Sequence, residues 1–234
     1  MSNSSLINYK RLSPNHSGTR NHKIDTVSIH CMAGNLTVEQ CGRLFADPNT
    51  QASSNYGIGS DGRIALYVDE INRSWCTSSA MNDNRAVTIE VANTVGYEPY
   101  PVSEAAYNSL IKLLVDICKR NGIPELRWKA DPNLIGNTAR QNMTVHRWFA
   151  NKSCPGTWLY QHHGQIAADV NKILTEEDED VARWKTIKDI PAGYYREQAQ
   201  RLMSEGVLKG KGNGEIDLTE DMLRTILIIE RMIK

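Results

Sequence analysis

The chain has no excess of charge of either sign: among its 234 residues, 27 lysines and arginines stand against 27 aspartates and glutamates. It therefore lacks the global field that would draw in nucleic acid or an anionic membrane surface, and recognition has to be local. No stretch approaches the roughly 18 apolar residues of a membrane span, so membrane insertion is not expected. The first ten residues lack a basic segment followed by an apolar run, the mark of a secretory leader. Synthesis and retention in a cytoplasm are expected. Cysteine is sparse: Cys31, Cys41, Cys76, Cys118 and Cys154 are odd in number and too scattered for a disulfide-framed secreted domain, so most are read as buried thiols. There is no clear internal repeat.

What is present divides into one full core and a smaller module. Residues 24–30, 86–91 and 143–146 alternate apolar and polar side chains as strands do. Each ends near a polar or metal-binding side chain, at the carboxyl end where α/β sheets place ligands. Residues 56–59 and 63–68 flank the turn at 60–62 and read as a hairpin, so the fold class is α/β with a central mixed β-sheet flanked by helices. Thr37 and Gln40 form a capping-box pattern before a helix that stops near Asp47-Pro48. A long helix begins at Ser103 and ends at Gly122, and a third runs from Trp158 to Leu174. The acidic run at 176–183 reads as a solvated linker, placing a catalytic domain at 1–175 and a small helical module at 184–234. In that module, residues 194–205 and a helix from Thr219 are expected, the latter with Met222, Ile226, Ile229 and Ile233 as an apolar stripe and Arg231 and Lys234 at its basic end. About 50 residues are marginal for an independent core, so the module is expected to pack against itself in a homodimer, against the catalytic domain, or against a ligand.

The most informative residues lie at 143–156. His146 and Cys154, eight residues apart, suit one Zn2+ ion, and His30 is the best third ligand, leaving a fourth position open for water. Zinc held in that way supports amide hydrolysis, which further needs a base, a proton for the leaving amine and a donor to the oxyanion. Glu90 is the candidate proton shuttle, Lys152 the candidate oxyanion partner and Tyr56 a phenolic donor. Against these stand plainer readings: Glu90 paired with Arg85 or Arg147, Lys152 solvated, and Tyr56 a core phenol. Trp75, Arg85, Asn93 and Trp148 are candidates to line a substrate groove, with packing an equal alternative for the tryptophans. His162 and His163 are read as surface helix residues, and Cys31 as packed under the sheet.

The runs Ser13-Pro-Asn-His-Ser-Gly18, Ala52-Ser-Ser-Asn-Tyr-Gly57, Asn84-Arg-Ala-Val-Thr-Ile-Glu90 and His146-Arg-Trp-Phe-Ala-Asn-Lys-Ser-Cys-Pro155 resemble zinc-dependent N-acetylmuramoyl-L-alanine amidases of phages and prophages of clostridia-like bacteria. The resemblance covers roughly residues 7–174. It implies the fold shared with peptidoglycan recognition proteins, zinc on His30, His146 and Cys154, and cleavage between the lactyl group of N-acetylmuramic acid and L-alanine in bacterial peptidoglycan. Relatives use a glutamate or a tyrosine beside the metal water. This chain has both, so the choice between Glu90 and Tyr56 stays open. Trp75-Cys76 stands where related enzymes often carry Trp-His. The C-terminal segment resembles, more weakly, a single surface-layer-homology repeat.

The leading function is thus an endolysin that lyses peptidoglycan after release from the cytoplasm. A host autolysin, a non-catalytic peptidoglycan receptor, and a cysteine hydrolase using Cys154 with His146 are the alternatives.

Overall fold

The computed structural model describes residues 2–180 and 183–233; side chains of 177–180 and 233 lie outside the described set, as do residues 181, 182 and 234. The chain divides into two compact units, Met1–Leu174 and Thr175–Lys234.

The first unit contains strands β1 (Tyr9–Lys10), β2 (His16–Thr19) and β3 (Thr26–Cys31), helix α1 (Val38–Ala46), strands β4 (Tyr56–Ile58), β5 (Ile64–Leu66) and β6 (Asn72–Ser74), and helix α2 (Ala80–Arg85). Strand β7 (Ala86–Val91), helix α3 (Glu104–Asn121), strand β8 (Met143–Thr144) and helix α4 (Gly156–Asp180), of which residues up to Leu174 belong to this unit, follow. Six strands form the expected mixed sheet in the order β1-β5-β4-β7-β3-β8, in which only β4 and β5 pair antiparallel. A separate ribbon joins β2 and β6.

Register makes the two faces of this sheet chemically different. Val27 pairs with Val87, Ile29 with Ile89, and Ile89 with Tyr56. These side chains share one face and enter the main core with Leu110, Leu113, Leu114 and Ile117 of α3 and Leu159, Ile166 and Val170 of α4. Ser28 pairs with Thr88 and His30 with Glu90, turning polar side chains to the opposite face. That face meets α1 through a smaller cluster of Val38, Cys41, Ala65 and Tyr67. Gly57, opposite Glu90, has to be glycine because a Cβ there would sit 2.4 Å from the Tyr67 ring.

The helix ends follow the sequence signals. Thr37 and Gln40 form the reciprocal cap of α1, with Thr37 N donating to Gln40 Oε1 at 2.8 Å. Ser103 caps α3, which ends at left-handed Gly122. Two expectations need correction. The strand expected over 143–146 ends at Thr144, and His146 opens a single 3-10 turn, His146–Trp148. The acidic linker expected from residue 176 is helical as far as Asp180, because glutamate favours helix and no glycine or proline interrupts the run.

In the second unit, β9 (Trp184–Thr186) and β10 (Glu215–Leu218) form an antiparallel ribbon beside α5 (Tyr194–Ser204) and α6 (Glu220–Ile233). The module is therefore not purely helical. The alternation that buries Ile216 and Leu218 marks β10, but it is too short to stand out in sequence. Trp184, Ile190, Ala199, Leu202, Ile216, Leu218, Leu223 and Leu227 form its own core.

Candidate metal centre

Because β3, β7 and β8 run parallel, their carboxyl ends open on one edge of the sheet, and the loops leaving them converge there. His30 is fully buried near the end of β3. Its Nε2 lies 3.1 Å from Ser28 Oγ, which donates to the Thr144 carbonyl at 3.2 Å, so Nδ1 is left facing Cys154 Sγ at 3.3 Å. The His146 ring centroid is 5.2 Å from that of His30, and its Nε2 lies 3.1 Å from Ser78 Oγ. The loop after His146 folds back on itself: Arg147 N donates to Cys154 O and Phe149 N to His146 O. That return brings the thiol to the imidazoles. One donor atom each from His30, His146 and Cys154 lies within 4.8 Å of the others, and so does a second set of His30, Cys76 and Glu90.

Two borderline imidazole nitrogens and one soft sulfur, with oxygen partners fixing the rings from behind, suit a borderline cation such as zinc. The protonation tendencies agree. Burial, then the neighbouring His146, holds His30 neutral well below the usual imidazole range, and burial, then Lys152, lowers His146. The Cys154 thiol is pushed up by its hydrogen bond with Cys31, then by burial and Glu90, so without a cation it stays protonated. Cys31 is thus half-buried beside Cys154, a hydrogen-bonding neighbour of the centre.

Glu90 has a side chain 16% exposed, with Oε1 4.0 Å from His30 Nδ1 and accepting weakly from the Cys76 thiol at 3.9 Å. Its Oε2 is buried without a hydrogen-bond partner. Burial, then the nearby Cys31, raises its carboxyl well above the usual range. The ion pairs considered for it are absent among the described residues, since Arg85 is bound to Asp25 at 2.7 Å and Arg147 donates to the Ser153 carbonyl.

Tyr56 does not reach this cluster. It points to the apolar face, where its hydroxyl donates to Glu70 Oε1 at 2.5 Å and accepts from Ser4 N at 2.8 Å. Its neighbour in register is Ile89, not Glu90. Arg85 lies just before β7, at the opposite end from Glu90, and Asn93 is fully buried, so neither lines a groove over the donors. Asn93 instead staples two loops, donating to the carbonyls of Met32 and Gly34 and accepting from Gly96 N. Trp148 stacks on Trp128 with centroids 5.0 Å apart, and Trp75 donates to Ser17 Oγ. Lys152 is exposed on the loop between His146 and Cys154.

His163 is fully buried, not a surface residue: Trp128 packs over it at 4.5 Å and its Nδ1 meets the Leu159 carbonyl. Sequence reasoning also missed Ser28 and Ser78. Ser28 had a signal, since it lies two residues before His30 on the same strand face. Ser78 had none, because it reaches His146 from a loop in which it adopts a left-handed conformation itself.

Comparison with known proteins places these features. Residues 20–157 match the Amidase_2 family, described as N-acetylmuramoyl-L-alanine amidase. No curated protein matches the chain. Among solved structures, Staphylococcus aureus hydrolase AmiA in complex with its ligand is 15% identical, with 79% of this chain and 90% of that one covered and a TM-score of 0.54. A selenomethionine AmpD derivative is 19% identical, covering 70% and 96%, at 0.53. A mutant endolysin from Bacillus subtilis is 15% identical, covering 70% and 99%, at 0.51. These likenesses show a shared fold.

Proposed function

Since the chain belongs to the N-acetylmuramoyl-L-alanine amidase family, we propose that it is a zinc-dependent endolysin of a phage or prophage, cleaving the amide between N-acetylmuramic acid and L-alanine in the peptidoglycan of the host wall after release from the cytoplasm. The observation that carries the zinc reading is the convergence of His30, His146 and Cys154 donor atoms at one open sheet edge. When bound there, Zn2+ would supply Lewis-acid polarisation of the scissile carbonyl and a nucleophilic water near neutral pH.

The other roles fall to the chain's own groups. Glu90 Oε2, buried and without a partner, takes the proton of the attacking water and returns it to the leaving amine. The raised affinity of its carboxyl for protons suits that shuttle. Lys152 Nζ stabilises the negative oxygen formed at the carbonyl. Ser28 and Ser78 fix the orientation of the two imidazoles. A receptor without catalysis would have no need of Cys154, and a thiol held protonated by Cys31, burial and Glu90 is a poor nucleophile, so both alternatives fit less well.

The reading extends to the second unit, through which the chain self-associates. Helix α6 buries Leu223 and Leu227 yet exposes Met222, Ile228, Ile229 and Met232, an apolar surface that a second copy would cover. Ile229→Glu should convert a dimer to a monomer by sedimentation equilibrium, and an unchanged mass would remove that role.

Purified Gram-positive peptidoglycan digested with zinc-loaded protein and with a chelated control tests the reaction. New L-alanine amines matched to intact muramic lactyl carboxylates, lost on chelation and restored by zinc, are expected. Other new ends, or cleavage that survives chelation, would contradict it.

A further inference from the structure

The segment after β7, residues 94–101, is tied down on three sides. Thr94 N and Oγ1 both donate to the Pro101 carbonyl, closing its base. The Asn93 side chain pins the base to the loop that follows His30. Toward the other metal-binding segment, Thr157 N donates to Glu98 Oε2 at 2.9 Å and Trp158 N to the Pro99 carbonyl at 2.9 Å. Gly156 fits under Tyr100 so closely that a Cβ would lie 2.7 Å from its ring. The loop is thus clamped between the element carrying His30 and the one carrying Cys154.

A loop held this firmly would be expected to bury its apolar side chains, yet Tyr97 is 66% exposed and Val95 39% exposed. The turn that projects them is closed by Tyr100 N donating to the Tyr97 carbonyl at 2.8 Å. A loop anchored to the segment that follows His30 and to the start of the helix that follows Cys154, yet leaving an aromatic ring exposed, has the form of a binding platform: the scaffold fixes it in place, and a tyrosine with two side-chain torsions loses little entropy on contact.

We propose that Tyr97 is a substrate-contacting residue whose ring stacks on a sugar of the glycan strand beyond the muramoyl unit that carries the scissile amide, and so sets the affinity for polymeric wall. This rests on the amidase reading of the adjoining site. A sugar ring is the fitting partner because its C–H face is uncharged and apolar, like the exposed Tyr97 ring, while the loop's carboxylate at Glu98 is already engaged by Thr157 N.

The test uses the full chain with Tyr97→Ala and Tyr97→Trp, assayed on polymeric peptidoglycan and on a single-sugar muramoyl peptide. Tyr97→Ala should raise KM on the polymer about tenfold with kcat nearly unchanged, Tyr97→Trp should restore it, and KM on the single-sugar fragment should stay close to wild type. An unchanged polymer KM, equal losses on both substrates, or no rescue by Trp would overturn the proposal. Should wild type itself cleave neither substrate, the amidase reading fails. Co-sedimentation with purified walls then decides Tyr97 separately: weaker retention of the Ala variant supports it and equal retention overturns it.

Discussion

The two faces of the central sheet carry polar groups under opposite constraints. On one face His30 and Glu90 are neighbours in register; His30 Nδ1 faces the Cys154 thiol at 3.3 Å, and Glu90 Oε2 has no hydrogen-bond partner in the fold. On the other face Tyr56 is bound to Glu70, and Glu70 is in turn held by Arg120 at 2.6 Å and by Asn121. Every polar group in that second network has a partner inside the fold, which is what stability requires of buried charge. The contrast teaches how to separate chemistry from architecture among buried polar residues. A group fully satisfied by the fold holds it together, whereas one left unsatisfied beside metal donors is available to react.

The comparison breaks most visibly at Glu90. Glu90→Gln should lower kcat by roughly 10²–10⁴-fold while zinc content and melting temperature stay close to wild type. A full rate in that variant would move proton transfer elsewhere. On the opposite face, Glu70→Ala should behave in reverse, losing roughly 3–5 kcal/mol of stability in urea unfolding because Arg120 and Tyr56 are left buried without their partner, while the folded fraction keeps its kcat. Equal damage to rate and stability at either residue would erase the distinction.

A third experiment concerns acid. Burial depresses the His163 imidazole to about 4 from an ordinary 6.5. The folded protein therefore binds fewer protons than the unfolded chain between those values, so this contribution is complete above about 6.5 and is lost as pH falls toward about 4. The loss is on the order of 3 kcal/mol. His163→Met should flatten the fall in unfolding free energy over that range, and an unchanged slope would show the ring is not held neutral. The smallest effect is expected from Tyr56→Phe: about 1–2 kcal/mol less stable, from the lost bonds to Glu70 and Ser4, with kcat unchanged. A large drop in kcat would return Tyr56 to the reaction.

Much of this was legible in the sequence because strand alternation is local. The period of two in residues 24–30 and 86–91 already put His30 and Glu90 on polar faces, and the eight-residue spacing of His146 and Cys154 pointed to a shared ion. What alternation could not supply was the register between strands. Tyr56 sits in a three-residue strand whose facing depends on pairing with Ile89, and that pairing turns it away from the metal donors. Asn93 and His163 failed for a related reason. A polar residue near a site and one on a helix both look accessible until distant segments, the loop at Gly34 and the Trp128 ring, close over them.

X-ray absorption at the zinc edge of the loaded full chain reads whether the donors of His30, His146 and Cys154 hold one ion and leave a position open. One sulfur at about 2.3 Å and two imidazole nitrogens at about 2.0–2.1 Å are expected, with the remaining position filled by a light atom. Two or more sulfurs, showing that Cys31 or Cys76 closes the site, or no sulfur at all, would contradict that arrangement.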